Sequence, residues 1–344
     1  MQLMKKMLLF TLFIFCFKVG HCQEVRIRNL IFEGAGVRGL AYAGVMDELE
    51  KQGIVQDVEK VGGTSAGAIT ALMVSLGYTA DEMRAIISDT KFQKFNDGRF
   101  IFIGGMLRMK HNYGWYRSKR FNIWLEDIIR HKTGNADITF RELKTMGYKD
   151  LYVTATCLNK QKLYVFSHET YPDMQVKDAV RASMSVPLYF EAIFIDSTGK
   201  VYEKHNRQRD LDIVVDGGIL GNFPVTLFDS VATDSLQQTH RVVNRQTLGI
   251  RIDSDAQIKN DAASKELVPL EINSLQDYVS AFYILALENL NRSQLQPSDW
   301  ERTISVSSAE ITPRVKRLSK DQKALLVNSG REHTAAYLNA KSLK

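Results

Sequence analysis

The chain reads as an α/β fold, and three stretches carry that expectation. An apolar run, Leu30-Ile31-Phe32, opens into Gly34-Ala35-Gly36-Val37-Arg38-Gly39 and then into a helically spaced segment. A second run, Val58 to Val61, turns through Gly63-Thr64-Ser65-Ala66-Gly67 into the apolar residues Ala68 to Val74. A third, Ile213-Val214-Val215, ends in Asp216-Gly217-Gly218. Short apolar runs closed by glycines, with 3.6-residue periodicity after them, are what strands alternating with helices look like in sequence. At 344 residues, 44% hydrophobic and 24% charged, the chain can bury one large core or two smaller ones. With 6 prolines and 22 glycines it has no composition for a long flexible linker, and no internal repeat.

In chain order, residues 1–22 come first. Lys5 and Lys6 precede an apolar run from Met7 to Phe17, and compact residues lead to Cys22. This is the charged, apolar and cleavage-zone order of a secretory leader, and the run is too short to span a bilayer. Cleavage before Gln23 is expected, with export to periplasm, envelope or medium. A lipid on Cys22 is the alternative processing, although His21 stands where a small residue normally precedes such a cysteine. Removing the leader takes Lys5, Lys6 and Lys18 and no acid, which lowers the formal charge from +6 to +3. That mild balance gives no reason to expect nucleic acid. It also leaves Cys157 alone, so the fold must be held without an internal disulfide.

Residues 25–32 read as a strand and Leu40 to Gln52 as a helix closed by Gly53. From 79 to 145 the pattern is mostly helical, with Thr79 as an N-cap before Asp81 and Glu82. Within it, residues 92–116 mix Phe100, Phe102, Met106 and Met109 with Arg99, Arg108, Lys110 and His111. That mixture suits a lipid interface, and ordinary core packing is the competing reading. Strands are expected at 151–155 and 162–166, a helix at 176–185, and a surface excursion at 197–211. The last third predicts a strand at 248–252, a polar stretch at 253–265, a long helix at 274–291, a strand at 303–306 and a final helix at 320–340. The apolar positions Leu275, Val279, Phe282, Tyr283, Ala286 and Leu290 predict a core-facing stripe. No chemistry is expected from this third.

The motifs carry the chemistry. A strand turning sharply into a helix through Gly63-Thr64-Ser65-Ala66-Gly67 is a nucleophile elbow, with Ser65 at a helix N-terminus that favours negative charge. Formally, Gly34 to Gly39 is also the G-x-G-x-x-G of dinucleotide binding. That use demands an acid at the end of the second strand, and Gly62-Gly63-Thr64-Ser65 offers none, while Glu59 reads as a solvated residue. The loop fits better as an oxyanion hole, its backbone N–H groups facing a developing oxyanion. Arg38 supplies a cation there, or else pins the loop. A histidine base for Ser65 would have to be His240 or His333, and both lie in polar or charged surroundings. Asp216 is therefore the expected base.

With Ala182-Ser183-Met184-Ser185-Val186-Pro187 lying between the second and third motifs, this order resembles the patatin-like phospholipases. The resemblance covers residues 26–224 and extends more loosely to the strand at 248–252 and the last helix. It implies a three-layer αβα fold with a central mixed, mostly parallel sheet. Residues 23–344 would form the catalytic domain, with a motif core at 26–224 and a mainly helical part at 253–344. It also implies lipid acyl hydrolysis by a Ser–Asp dyad through an acyl-enzyme. Position by position, Ser65 becomes the nucleophile, Asp216 its base, Gly34–Gly39 the oxyanion hole, and Gly217-Gly218 the turn after the base. Ala35 departs from the family, which often has glycine there. The implied partner is a phospholipid or related acyl ester at a membrane or micelle surface; no metal or cofactor is implied, and no protein partner. A catalytically silent lipid-binding envelope protein of the same fold is the alternative.

Overall fold

The computed structural model describes residues 26–98, 101–203, 209–263, 266–292, 295–312 and 317–341. The expected leader, with Cys22, lies outside them. Thirteen described strands are β1 Asn29–Phe32, β2 Lys60–Gly63, β3 Gly114–Tyr116, β4 Asp150–Cys157, β5 Lys162–Phe166, β6 Leu188–Phe190, β7 Ile193–Ile195, β8 Val201–Tyr202, β9 Asp212–Asp216, β10 Ser230–Thr233, β11 Thr239–Val242, β12 Thr247–Asp253 and β13 Thr303–Ser307. The longer helices are α1 Ala41–Lys51, α2 Ala66–Ser75, α3 Ala80–Asp89, α4 Ile101–Asn112, α5 Lys119–Thr133, α6 Phe140–Thr145, α7 Val176–Ser183, α8 Asp255–Ala263, α9 Leu275–Arg292 and α10 Lys320–Lys341.

Nine strands form one mixed sheet, with β13, β12, β1, β2 and β4 parallel in that order. Helices flank it, α1 and α10 packing together. β1 is buried along its length and β12 from Thr247 to Ile252, the Arg251 side chain included, as central parallel strands covered on both faces must be. α2 is buried on every side, so it is apolar all round rather than striped. The N-cap expected at Thr79 forms, and as a capping box: its side chain accepts from the Glu82 amide while Glu82 accepts from the Thr79 amide.

The topology at β4 positions everything that follows. Along Val153–Cys157 one edge of β4 pairs with β5. The other edge is shared: Lys60–Gly63 of β2 pairs with Asp150–Val153, and Val214–Asp216 of β9 pairs with Ala155–Cys157. β2 runs parallel to β4 and β9 antiparallel, so their carboxyl ends meet head-on along that edge. Thr154 alone separates the partners of Gly63 and Asp216.

Three expectations need correction. The polar stretch after β12 is helical over Asp255–Ala263, its Gln257 buried and bonded to the Glu266 carbonyl and the Val268 amide. Of the stripe expected on the long helix α9, Leu275 and Phe282 are not core-facing but 79% and 68% exposed, and the side chains of Val279, Tyr283, Ala286 and Leu290 lie outside the described residues. Residues 92–116 divide between the two readings offered for them. Phe92 packs edge-on against Phe95 and Trp124, and Phe95 also lies edge-on to Phe121 and tilted against Trp124. On α4, Met106 and Leu107 are exposed while Arg108 is buried and donates to the Trp115 carbonyl at 2.8 Å. Phe100 and the Phe102 side chain lie outside the described residues.

Candidate active site

Ser65 occupies the turn between β2 and α2 with φ 53° and ψ −121°, a conformation an L-residue adopts only under constraint. The constraint is close approach. A Cβ on Gly67 would stand 2.2 Å from the Phe32 carbonyl oxygen, so the first turn of α2 rests on the end of β1 where no side chain fits. The Ser65 amide donates to Ser183 Oγ at 2.8 Å, and its hydroxyl donates to Met184 Sδ at 3.3 Å.

Asp216 ends β9 and is buried. Its amide donates to the Ser185 carbonyl at 2.9 Å. Its Oδ1 accepts from the Gly218 amide at 2.7 Å, while buried Oδ2 takes no hydrogen bond in the structure. Burial pushes this carboxyl up to about 6; the Gly218 amide and the neighbouring Ser65 hydroxyl oppose the rise. The segment Ser183–Ser185, at the end of α7, thus holds both residues, one through a side chain and the other through a carbonyl.

Threonines fill the gap between the two strand ends. Thr64 Oγ1 lies 2.5 Å from Thr154 Oγ1 and 2.6 Å from the Gly221 carbonyl. The carbonyl can only accept, so Thr64 donates to it and accepts from Thr154. The elbow is thereby tied to β4 and to the single helical turn Gly218–Gly221 that follows Asp216.

The glycine loop closes the third side. It leaves β1, and a Cβ on Gly34 would meet Asn222 Oδ1 at 2.3 Å and Ser65 Cβ at 3.4 Å. The loop and the serine are therefore in contact, and only glycine lets the loop come so near. Asn222 holds it twice: its carbonyl accepts from the Gly34 amide at 3.0 Å and its Nδ2 donates to the Gly34 carbonyl at 3.2 Å. Among the described residues Arg38 is paired with no carboxylate; its Nε donates to the Ala35 carbonyl at 3.2 Å and pins the turn Gly36–Leu40. Behind the loop, Glu33 is buried and accepts from the Ile252 amide at 3.1 Å. Burial raises its pKa, with Arg251 opposing.

The structure brings Ser65, Asp216, Gly34 and the Gly217-Gly218 turn together. Neither histidine joins them: His240 pairs opposite Ala232 in the β10–β11 hairpin, and His333 bonds to the Ser329 carbonyl within α10. Glu59 lies before β2, exposed and ion-paired with Arg28, and β2 itself ends in Gly62-Gly63, with no acid of its own to hold a ribose. Ser183 and Ser185 escaped the sequence reading as site residues, although both lie inside the stretch 182–187 already singled out, and so did Asn222, four residues past the Gly217-Gly218 turn. Asn291 escaped it altogether. From the end of α9 its Oδ1 accepts from the Asn222 amide at 2.5 Å, and its Nδ2 donates to the Gly218 carbonyl at 3.1 Å. The C-terminal third therefore does reach the site.

A profile of the family described as patatin-like phospholipase matches residues 30–229. The uncharacterized protein YqhO of Bacillus subtilis is 29% identical over 319 residues, covering 90% of this chain and 97% of its own length. The probable lipid hydrolase 463L of Invertebrate iridescent virus 6 is 26% identical over 202 residues, covering 58% of this chain and 62% of its own. Among solved structures, VipD from Legionella pneumophila superposes with a TM-score of 0.55 at 15% identity, over 92% of this chain and 67% of that one. That likeness is one of fold.

Proposed function

The chain belongs to the patatin-like phospholipase family, and on that footing we propose that it hydrolyses carboxylic esters of phospholipids or related acyl lipids through a Ser65–Asp216 dyad. The observation that carries the reading is the meeting of two strand ends on one edge of β4, which sets a constrained serine beside a buried carboxyl with an unpartnered oxygen. Ser65 Oγ attacks the ester carbonyl carbon while Asp216 Oδ2 takes its proton. The tetrahedral oxyanion is held by loop amides. Since the Gly34 amide is bonded to Asn222, the donors assigned are those of Ala35, Gly36 and Val37. Collapse breaks the ester C–O bond, and Asp216 returns the proton to the leaving alcohol. Water, deprotonated by Asp216, then attacks the acyl-enzyme and releases the fatty acid and Ser65. A carboxyl poised near pH 6 suits both directions of transfer.

Localisation belongs to the same proposal: a leader at residues 1–22 would export the enzyme, placing its substrate in the envelope or outside the cell. The test is turnover of a short-chain nitrophenyl ester and of mixed phospholipids by the parent and by Ser65→Ala. The account expects hydrolysis by the parent and loss of at least 99% in the variant, with the fold retained. A folded parent that binds lipid and turns over neither substrate would establish the silent lipid-binding alternative instead.

A further inference from the structure

The described side chains of α9 lay out an apolar stripe in the open. Leu275, Tyr278, Phe282 and Leu285 are 79%, 59%, 68% and 51% exposed. At 100° per residue they fall within a single arc of about 80°. Leu270 and Ile272, in the approach to the helix, are exposed as well. A run of six large apolar side chains on one short segment is a surface built to be covered.

Two further observations say by what. The other end of α9 is fixed at the catalytic turn: Asn291 holds the Gly218 carbonyl and the Asn222 amide. Arg292 is ion-paired with Asp253, Asp261 and Glu288, and Asp253 and Asp261 also face Arg251. The stripe is thus rigidly joined to the machinery around Ser65. The second observation is charge. Residues 266–292 carry four acids, Glu266, Glu271, Asp277 and Glu288, against one base, Arg292, and that base is spent inside the protein.

From these we propose that α9, with Leu270 and Ile272, docks the enzyme on a zwitterionic lipid surface, inserting Tyr278, Phe282 and their neighbours and so delivering lipid to Ser65. The proposal rests on the lipid-hydrolase reading above and names the surface through which it works. It also relocates the interface that the sequence suggested for residues 92–116. An acidic segment gains nothing from anionic head groups, so binding follows apolar insertion rather than charge.

The experiment measures flotation of the purified Ser65→Ala protein, which leaves vesicles intact, with phosphatidylcholine vesicles with and without added phosphatidylglycerol. Tyr278→Ser with Phe282→Ser should lower the vesicle-bound fraction roughly tenfold or more, because two large apolar side chains leave the lipid. Leu236→Ser, at an equally exposed leucine in the β10–β11 turn, should leave binding unchanged. In the active background the double change should reduce vesicle hydrolysis and spare a soluble ester, which also shows that the variant folds. Equal binding by parent and double variant overturns the proposal. So does binding that rises with phosphatidylglycerol, which would point to a basic surface. A parent dimer in light scattering that the double change splits assigns the stripe to a second copy, and overturns it too. Vesicle binding through α9 without hydrolysis of any ester by the active protein would leave the surface standing and remove the catalytic reading.

Discussion

Replacing Asp216 by asparagine should move activity and stability in opposite directions. Burial pushes this carboxyl from an ordinary 3.8 up to about 6. At 1.36 kcal/mol per unit, holding it ionised at pH 7 costs the fold about 3 kcal/mol. The sign follows from proton binding. A carboxyl whose pKa is raised binds its proton more tightly when folded. Its contribution to stability is therefore complete below pH 3.8 and lost as pH climbs through 6. Asparagine keeps the shape and still accepts from the Gly218 amide, but carries no charge. Asp216→Asn should thus be more stable than the parent at pH 7, by up to about 3 kcal/mol, and match it near pH 4. It should also lose roughly 100- to 10,000-fold in turnover, because an amide cannot take the Ser65 proton. Urea melts at the two pH values, beside turnover of a soluble ester, read both effects. In the parent, kcat/KM should fall about tenfold from pH 7 to pH 5 as Asp216 protonates. A stability gain of equal size at both pH values, or a variant with parental turnover, would refute the reasoning.

Other outcomes follow from the same geometry. Ser65→Gly should be inactive yet more stable by about 1 kcal/mol in thermal or urea melts, since glycine adopts the φ of 53° without the serine's strain. His240→Ala and His333→Ala should keep parental kcat/KM, and a loss matching that of Asp216→Asn would replace the dyad with a triad. N-terminal sequencing of protein recovered from the envelope or medium should begin near Gln23; an intact Met1 in cytoplasmic material would rule out the leader.

How much of this was legible in the sequence depends on how local each feature is. Each motif fixes its own backbone: Gly34, Gly63 and Gly67 mark places where chain meets chain, β1, β4, β5 and β9 announce themselves as apolar runs, and β2, Lys60-Val61-Gly62-Gly63, is marked by the elbow it enters. The meeting of Ser65 and Asp216 is not local. It arises because β9 runs antiparallel to β4 along the edge that β2 vacates, a direction that Asp212–Asp216 does not encode by itself. Asn222 was visible four residues past the Gly218 turn, yet its partner Gly34 lies 188 positions away. The β10–β11 hairpin was missed because its residues are mostly exposed on both faces, leaving no alternation to read. β7, at three residues, is shorter than any periodicity can register. The stripe on α9 shows the opposite limit. Periodicity predicts Leu275 and Phe282 of it but not Tyr278 or Leu285, and spacing alone does not tell a stripe that faces a core from one left in the open.

The account stands on Ser65 acting as the nucleophile, and covalent trapping tests that most directly. The protein would be treated with a lipid-like fluorophosphonate ester, digested and mapped by mass spectrometry. The predicted result is one stoichiometric adduct on Ser65, absent from Ser65→Ala and much slower to form in Asp216→Asn. Ester hydrolysis that persists with Ser65 unlabelled, or an adduct on another residue, would contradict it.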